Sequence, residues 1–233
     1  MDSRLITRMF PHIDNRRRAT QLKIDHESVH YISLREDAHK ISCIIAHHLD
    51  ALEIDTKEAI ISDATAGVGG DALSFGLNFG HVHAIEIDKV RYDYLVNNIN
   101  VYNLKNITSY HDDCKDIINN IENQDVVFMD PPWGGRSYKK YEKLKLNLGN
   151  ICIEEYCNII FDSNKTKCVP KLIVLKLPTN YDIVNLYKNV KCKKIILHEL
   201  KKMYIVAIYS YDSSLLVKAI SSLVSPLSLS VLS

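Results

Sequence analysis

The chain contains 233 residues, of which 46% are hydrophobic and 24% charged, as in a globular protein with one large domain or one domain and an arm. Its formal net charge of +1 excludes a broad basic surface for nucleic acid, so any contact with RNA must be local. The six cysteines include no CxxC pair, so we predict neither a metal site nor disulfides. No apolar stretch is long enough for a signal peptide or a membrane span, and we therefore expect a soluble intracellular protein, nuclear or cytoplasmic.

Residues 1–54 are predicted to form an N-terminal arm followed by a helix. The arm is basic, with three consecutive arginines that begin at Arg16 and a lysine at Lys23. A solvated charge run and a phosphate-binding segment both fit this pattern, and the residues alone favour the first. The helical spacing of apolar residues over 36–52 predicts the helix.

The main domain is predicted over residues 55–211, where short apolar runs alternate with amphipathic segments. The predicted strands are 59–63, 81–88, 107–111, 124–130, 171–177, 194–199 and 203–209. The predicted helices between them are 71–79, 89–102, 113–120, 151–161 and 181–188. The last two strands are joined so tightly that they predict an antiparallel hairpin. The pattern therefore predicts a doubly wound, mostly parallel α/β sheet with a terminal hairpin, followed by a tail of unknown role at 212–233.

Three local sequence features of this domain predict two helix caps and a loop. Gly80 follows the first helix of the alternation and is predicted to be its C-cap. Asp88 precedes the next helix and is predicted to be its N-cap. Residues 137–150 are polar and rich in lysine and tyrosine, which favours a loop.

A glycine-rich turn follows the first strand of the alternation and opens a helix. It contains Asp63, Thr65, Gly67 and Gly69, and the glycines permit a ligand to approach free N–H groups at the helix start. Glu86 ends the second strand, where a carboxylate commonly accepts from two ribose hydroxyls. The turn and the carboxylate together predict a nucleoside pocket.

The glycine turn alone does not decide which kind of nucleotide binds. The spacing of Gly67 and Gly69 also fits a dinucleotide site. Asp63 stands before the glycines, where it suits a cationic ligand and would repel a pyrophosphate. Asp113 follows the third strand and could accept a hydrogen bond from an adenine amine.

The fourth strand ends in a stiff turn beside an aromatic ring. An apolar run is followed by Asp130, Pro131, Pro132 and Trp133. Two prolines fix the backbone and donate no hydrogen bonds, so their carbonyls are free to accept. Because ligands of open α/β sheets bind at the carboxyl ends of the strands, this turn predicts a platform for a planar base.

Three motifs in this order and spacing closely resemble the trimethylguanosine synthase family. They are Asp-x-x-x-Gly-Val-Gly-Gly from Asp63, Ala-Ile-Glu-Ile-Asp around Glu86, and Asp-Val-Val-Phe-Met-Asp-Pro-Pro-Trp-Gly-Gly from Asp125. Members of that family methylate N2 of the 7-methylguanosine cap of RNA. The resemblance extends from about Met9 to about Tyr209.

The resemblance implies a Rossmann-like class I methyltransferase that uses S-adenosylmethionine and releases S-adenosylhomocysteine. The implied donor-binding residues are Asp63, Thr65, Gly67, Gly69, Glu86, Asp113 and Asp130. The implied catalytic residues, which would hold the guanine, are Asp130, Pro131 and Trp133. The implied contacts to the rest of the substrate are Ser33, Lys23 and Asn180, and Arg16 of the basic arm is added as a further phosphate contact.

The chain departs from the family at three places. Thr179 stands where the family has an arginine that contacts phosphate, and Asp130 stands where many members have serine. Val29-His30-Tyr31 replaces a segment that begins with an aromatic pair.

The expected activity is methylation of the exocyclic N2 amine of capped RNA or of 7-methyl-GTP or GDP. The product would be 2,7-dimethylguanosine, with 2,2,7-trimethylguanosine after a second transfer. Two alternatives stay open, namely an amino-methyltransferase for rRNA, tRNA or DNA bases and a non-catalytic cap-binding module. The expected partner is capped RNA or a cap nucleotide, with no membrane and no metal, and the chain is expected to be a monomer.

Overall fold

The structure, a computed structural model, describes Ile6, residues 8–211 and the pair 229–230. The chain divides into two compact units, of which the first ends at Ile118 and the second begins at Asn119. The predicted boundary between residues 54 and 55 stays a prediction. Most of the predicted tail lies outside the described residues.

The first unit contains three parallel strands in the order β1-β2-β3. Its strands are β1 (Ile60–Asp63), β2 (His81–Glu86) and β3 (Ile107–His111). Its helices are α1 (Arg16–Ala19), α2 (Arg35–Asp50), α3 (Gly70–Asn78), α4 (Lys89–Tyr102) and α5 (Cys114–Ile117), with a 3-10 turn at Ser28–His30. Because the strands are parallel, β1 and β2 both end at the same edge, and Asp63 and Glu86 lie there.

The core of this unit follows the predicted spacing. In α2 the side chains of Ala38, Ile41, Ile45 and Leu49 are fully buried, which is one face of a helix with a period of 3.6 residues. In β1 the three residues from Ile61 to Asp63 are all buried, as expected of a strand covered on both faces.

The second unit contains strands in the order β10-β8-β9-β7-β4. They are β4 (Val126–Met129), β7 (Leu172–Pro178), β8 (Lys194–Leu200), β9 (Met203–Tyr209) and β10 (Leu229–Ser230). Its helices are α6 (Ile153–Ile160) and α7 (Ile183–Asn189). β4 and β7 are parallel, whereas β9 is antiparallel to both β7 and β8. The predicted terminal hairpin is therefore confirmed.

The predicted loop at 137–150 is wrong in part. The structure has a 3-10 helix at Gly135–Lys140 and then a small hairpin of β5 (Asn147–Leu148) and β6 (Ile151–Cys152). Gly149 lies in the hairpin turn with φ +59°, a conformation that glycine adopts without strain. Because β6 uses the first two residues of the predicted helix 151–161, that helix begins only at Ile153.

The two predicted helix caps have different outcomes. Asp88 is the N-cap of α4, and its carboxylate accepts from the N–H of Arg91 at 2.9 Å, as predicted. Gly80 follows the end of α3 but is not a left-handed C-cap, because its φ is not positive and its N–H donates to the carbonyl of Thr56, outside the helix, at 3.1 Å. Gly80 is needed for close packing instead, since a Cβ there would lie 2.4 Å from the carbonyl oxygen of Lys57.

Candidate active site

The glycine turn between β1 and α3 presents backbone rather than side chains. Gly67 and Gly69 have φ of +54° and +102°, which residues with a side chain rarely adopt. A Cβ at Gly67 would meet no atom within 4 Å, so the space beside it is open to a ligand. The buried Asp63 carboxylate accepts from the N–H of Thr65 at 3.1 Å, which fixes the start of the turn.

Glu86, at the end of β2, holds the turn from the other side. One carboxylate oxygen accepts from the N–H of Gly67 and the other from the N–H of Asp88, both at 2.8 Å. Burial raises the pKa of Glu86, and the two N–H groups oppose that rise. Each oxygen has a further lone pair that a ribose hydroxyl can use. These acceptors and the open space beside Gly67 fit a nucleoside with a cationic tail such as S-adenosylmethionine.

Asp113 has a structural role in addition to the predicted contact with an adenine amine. It is the N-cap of α5, and its carboxylate accepts from the N–H of Lys115 at 3.0 Å. The Lys115 ammonium lies 3.3 Å from the same carboxylate. A contact from Asp113 to an adenine amine stays a prediction.

The arm reaches the glycine turn through Asn98, a buried residue of α4 that the sequence did not indicate. Its side-chain oxygen accepts from the Lys23 N–H at 2.8 Å, and its amide group donates to the Lys23 carbonyl at 2.8 Å. The same amide group donates to the Val68 carbonyl, inside the glycine turn, at 2.9 Å. The Lys23 side chain is exposed, with its ammonium 6.0 Å from the ring centroid of Tyr94.

Ser33 lies at a second junction between the arm and α3. Its buried hydroxyl donates to the carboxylate of Asp71, in the first turn of α3, at 2.6 Å. A Cβ at Gly70 would lie 2.6 Å from the side chain of Ile32, so the segments pack closely. The predicted substrate contact of Ser33 stays a prediction, and of Arg16 the structure describes only the backbone.

In the second unit, the turn after β4 carries the predicted base platform. Pro131 is buried, whereas Trp133 is half-buried. The ring of Trp133 meets the ring of Tyr138 edge to face, with centroids 5.4 Å apart and planes at 75°. The Trp133 Nε1 is buried and has no hydrogen-bond partner among the described residues. A ligand with an acceptor can therefore satisfy it.

Lys176 is a residue beside the predicted base platform that sequence reasoning missed. It lies in the middle of β7, where all seven residues are buried, and its ammonium is 2.5 Å from the Asp130 carboxylate. The same ammonium lies 5.8 Å from the ring centroid of Trp133. The available signal was a lone lysine in an otherwise apolar strand, because such a charge requires a buried partner.

Asn180, just after β7, organises the loop that carries Tyr138. Its side-chain amide donates to the carbonyls of Tyr138 and Tyr141 at 2.8 and 2.7 Å. Its side-chain oxygen is buried and has no hydrogen-bond partner within the described part of the chain. Thr179 beside it is exposed. Asn180 and Trp133 therefore both contact Tyr138 within the second unit.

Neither a metal cluster nor a membrane-spanning helix is present among the described residues. Residues 6, 8–211 and 229–230 include no group of three or more His, Cys, Asp or Glu that could hold a metal ion. The same residues include no helix that is long and apolar enough to cross a membrane.

The fold and these sites define a Rossmann-like class I methyltransferase, as the alternation of strands and helices and the motifs predicted. The chain aligns with a T. thermophilus 16S rRNA N2 methyltransferase in complex with AdoMet and guanosine, with a TM-score of 0.56 and 13% identity over 81% of this chain and 44% of that one. It also aligns with a human methyltransferase 10 domain containing protein, with a TM-score of 0.52 and 17% identity over 73% and 82% of the two chains. S-adenosylmethionine is the methyl donor of the class, and S-adenosylhomocysteine the product.

The chain belongs to the RNA cap guanine-N2 methyltransferase family, whose sequence model matches residues 58–221. An uncharacterized protein of Acanthamoeba polyphaga mimivirus is 33% identical over 221 residues, which cover 87% of this chain and 84% of that protein. A trimethylguanosine synthase of Schizosaccharomyces pombe is 28% identical over 160 residues, 65% of this chain and 64% of that protein. The resemblance read from the three motifs is thereby confirmed.

Proposed function

We propose that this methyltransferase acts on the exocyclic N2 amine of a 7-methylguanosine cap, on RNA or as the free cap nucleotide. The observation that carries the proposal is the turn after β4, where the Asp130 carboxylate and the Trp133 ring lie around one buried ammonium. An acceptor beside a half-buried aromatic ring suits a planar base that carries an amine. The family and the similarity to a trimethylguanosine synthase support the same substrate.

The donor would be held by residues of the first unit. Glu86 would accept from the ribose hydroxyls, and the open space at Gly67 would take the part of the donor that runs along the glycine turn. Asp63 would face the cationic methionine end. S-adenosylmethionine supplies an electrophilic methyl group bound to a sulfonium sulfur.

The base would be held by residues of the second unit. A guanine N2 amine is a weak nucleophile, because its lone pair is delocalised into the ring. Asp130 and the Pro131 carbonyl would accept from the amine and turn its lone pair toward the methyl group, so that most of the acceleration comes from positioning. Transfer forms a nitrogen–carbon bond and breaks the carbon–sulfur bond of the donor. The amine then loses one proton, for which Asp130 is the nearest proposed acceptor.

Trp133 would select the methylated cap. The 7-methylguanine ring carries a positive charge, and stacking on tryptophan adds a cation–π attraction of about 1–2 kcal/mol when the pair is desolvated. Plain guanine lacks this attraction. The Nε1 of Trp133 and the side-chain oxygen of Asn180, which have no hydrogen-bond partner among the residues that the structure describes, would offer a donor and an acceptor to the substrate.

A methyl-transfer assay tests the proposal. Purified protein and labelled donor are mixed with RNA of one sequence, either with a 7-methylguanosine cap or with a 5′ triphosphate, and separately with 7-methyl-GTP or GTP. We expect transfer to the capped RNA and to 7-methyl-GTP, and the product mass counts the methyl groups. Equal transfer to GTP, or transfer only to uncapped RNA, would contradict the proposal in favour of an internal-base methyltransferase. Cap binding without any turnover would indicate a non-catalytic binding module.

A further inference from the structure

Lys176 places a positive charge inside the second unit. Its side chain is 4% exposed, and that of its partner Asp130 is 19% exposed. Transfer of an ammonium group from water to the protein interior costs free energy, and this cost is offset only when a carboxylate is held close and well oriented. The separation of 2.5 Å between the ammonium nitrogen and the carboxylate oxygen meets that requirement.

This ion pair lies directly at the base platform. The Lys176 ammonium is 5.8 Å from the centroid of the Trp133 ring, on one of its faces. The two formal charges of the pair sum to zero. A cationic base would be attracted by Asp130 and repelled by Lys176, and the burial of both side chains weakens the screening of their charges by water.

We propose that Lys176 is a positioning and specificity-determining residue of the base site. It holds the Asp130 carboxylate in one orientation as an acceptor for the guanine amine, and its charge offsets that of Asp130. Preference for 7-methylguanine over guanine then comes from stacking on Trp133 and not from net charge in the pocket. The inference rests on the proposed function, since it concerns how that same base is chosen.

The proposal makes the two partners act in opposite directions on selectivity. Lys176→Met leaves a net negative charge beside the ring, so the ratio of affinities for 7-methyl-GTP over GTP rises roughly tenfold. Asp130→Asn leaves a net positive charge, so the same ratio falls roughly tenfold. The double variant Asp130→Asn with Lys176→Met is neutral again and has a ratio close to that of the original protein. Lys176→Arg keeps the charge and the ratio.

The chain provides a direct probe for this experiment, because Trp133 is its single tryptophan. Quenching of its fluorescence by 7-methyl-GTP and by GTP gives both affinities without any methyl transfer. A general loss of structure would lower both affinities and would not move the ratio in opposite directions in the two single variants. A ratio that is unchanged in both, or that changes in the same direction, overturns the proposal.

The remaining outcomes distinguish a folding defect, a failure of the proposed function and a failure of the role proposed for Lys176. If Lys176→Met fails to fold, the test uses Asp130→Asn and Lys176→Arg, and a ratio that falls in the first and holds in the second supports the proposal. An unchanged ratio in Asp130→Asn overturns it. If the unaltered protein shows no preference for 7-methyl-GTP, the proposed function fails. If it shows the preference and the variants leave the ratio unchanged, only the role of Lys176 fails.

Discussion

Trp133 carries the largest single contribution to the proposed recognition of the base. Its half-buried ring is braced by Tyr138 on the following 3-10 helix, so the plane is set before any ligand binds. Stacking of a base on an aromatic side chain is worth about 1–3 kcal/mol. Trp133→Ala should therefore weaken binding of 7-methyl-GTP roughly 10- to 100-fold, while the affinity for S-adenosylhomocysteine stays nearly the same.

Calorimetric titration measures both affinities of this variant. Trp133→Phe is the matched control, because it keeps an aromatic face and should retain part of the binding energy. A comparable loss of S-adenosylhomocysteine affinity in Trp133→Ala would mean that the tryptophan supports the donor pocket instead of the base.

Glu86 makes donor binding depend on pH. Burial raises the pKa of its carboxyl, and a ribose hydroxyl donates to the ionised form. Donor affinity should therefore fall by about tenfold per pH unit once the pH drops below the raised pKa. In the protein without donor, folding stability depends on pH with the opposite sign to donor affinity. There the raised pKa favours the folded state at acidic pH, and this contribution is lost as the pH rises through that pKa.

Titration of S-adenosylhomocysteine at a series of pH values from about 8 to about 4, just below the ordinary pKa of a glutamate, checks the first statement. Glu86→Gln cannot ionise, so its weaker affinity should be flat across this range. An unaltered protein with a flat profile, or a Glu86→Gln variant with the same slope, would show that the carboxylate does not contact the ribose.

At the scale of the elements, α4 joins the arm to the glycine turn through one side chain. Asn98→Ala would leave the N–H and C=O of Lys23 and the C=O of Val68 without their partner. An unsatisfied buried group costs about 1–3 kcal/mol, and the two Lys23 bonds are only partly buried, so water replaces them in part. The free energy of unfolding should therefore fall by about 2–4 kcal/mol. Denaturant unfolding followed by circular dichroism measures the change.

Two further variants serve as comparisons for that measurement. Asn100→Ala changes an exposed residue of the same helix and should alter stability by less than about 0.5 kcal/mol. Asn98→Asp keeps the acceptor for the Lys23 N–H but sets a buried carboxylate oxygen against two carbonyl oxygens, so its stability should be at least as low as that of Asn98→Ala. Equal stability of Asn98→Ala and Asn100→Ala would show that the arm is not held by this residue.

For the molecule as a whole, the net charge of +1 means that salt affects substrate binding through a few local cations. The exposed ammonium of Lys23 is the arm residue we expect near the triphosphate of the cap. Lys23→Ala should weaken binding of 7-methyl-GTP by about 3- to 10-fold at low salt, with little difference at high salt. Fluorescence titrations at several salt concentrations measure this dependence.

The exposed Lys105, which precedes β3, provides the matched control for this experiment. It stands before the amino end of its strand, and the predicted site lies at the carboxyl ends. Lys105→Ala should therefore leave the salt dependence unchanged. Identical salt dependence of Lys23→Ala and the unaltered protein would remove Lys23 from the phosphate site.

Local sequence patterns were sufficient for much of this fold and site. Apolar spacing predicted α2, and tight chain reversal predicted the hairpin of β8 and β9. Motifs with fixed spacing identified Glu86 and Trp133, since the chemistry of each is visible in its immediate neighbours. The resemblance to a family then joined these separate signals into one expected activity.

Contacts between residues distant in the chain were not predictable in the same way. The partner of Lys176 is 46 positions away, and the partners of Asn98 are 75 and 30 positions away. Nothing local distinguishes Asn98 from the neighbouring asparagines of α4, and only the structure shows that it is fully buried. The hairpin of β5 and β6 was missed because strands of two residues each are too short to show an alternating pattern.

The hydrogen bonds of Asn98 have a consequence for how each ligand affects the affinity for the other. One side chain fixes Val68 in the donor turn and Lys23 in the arm, so a shift at either end is transmitted to the other. Any coupling of this kind must be reciprocal. If bound donor raises the affinity for the cap by some factor, bound cap raises the affinity for the donor by that same factor. If Asn98 carries such a coupling, its loss would reduce both enhancements by one common factor.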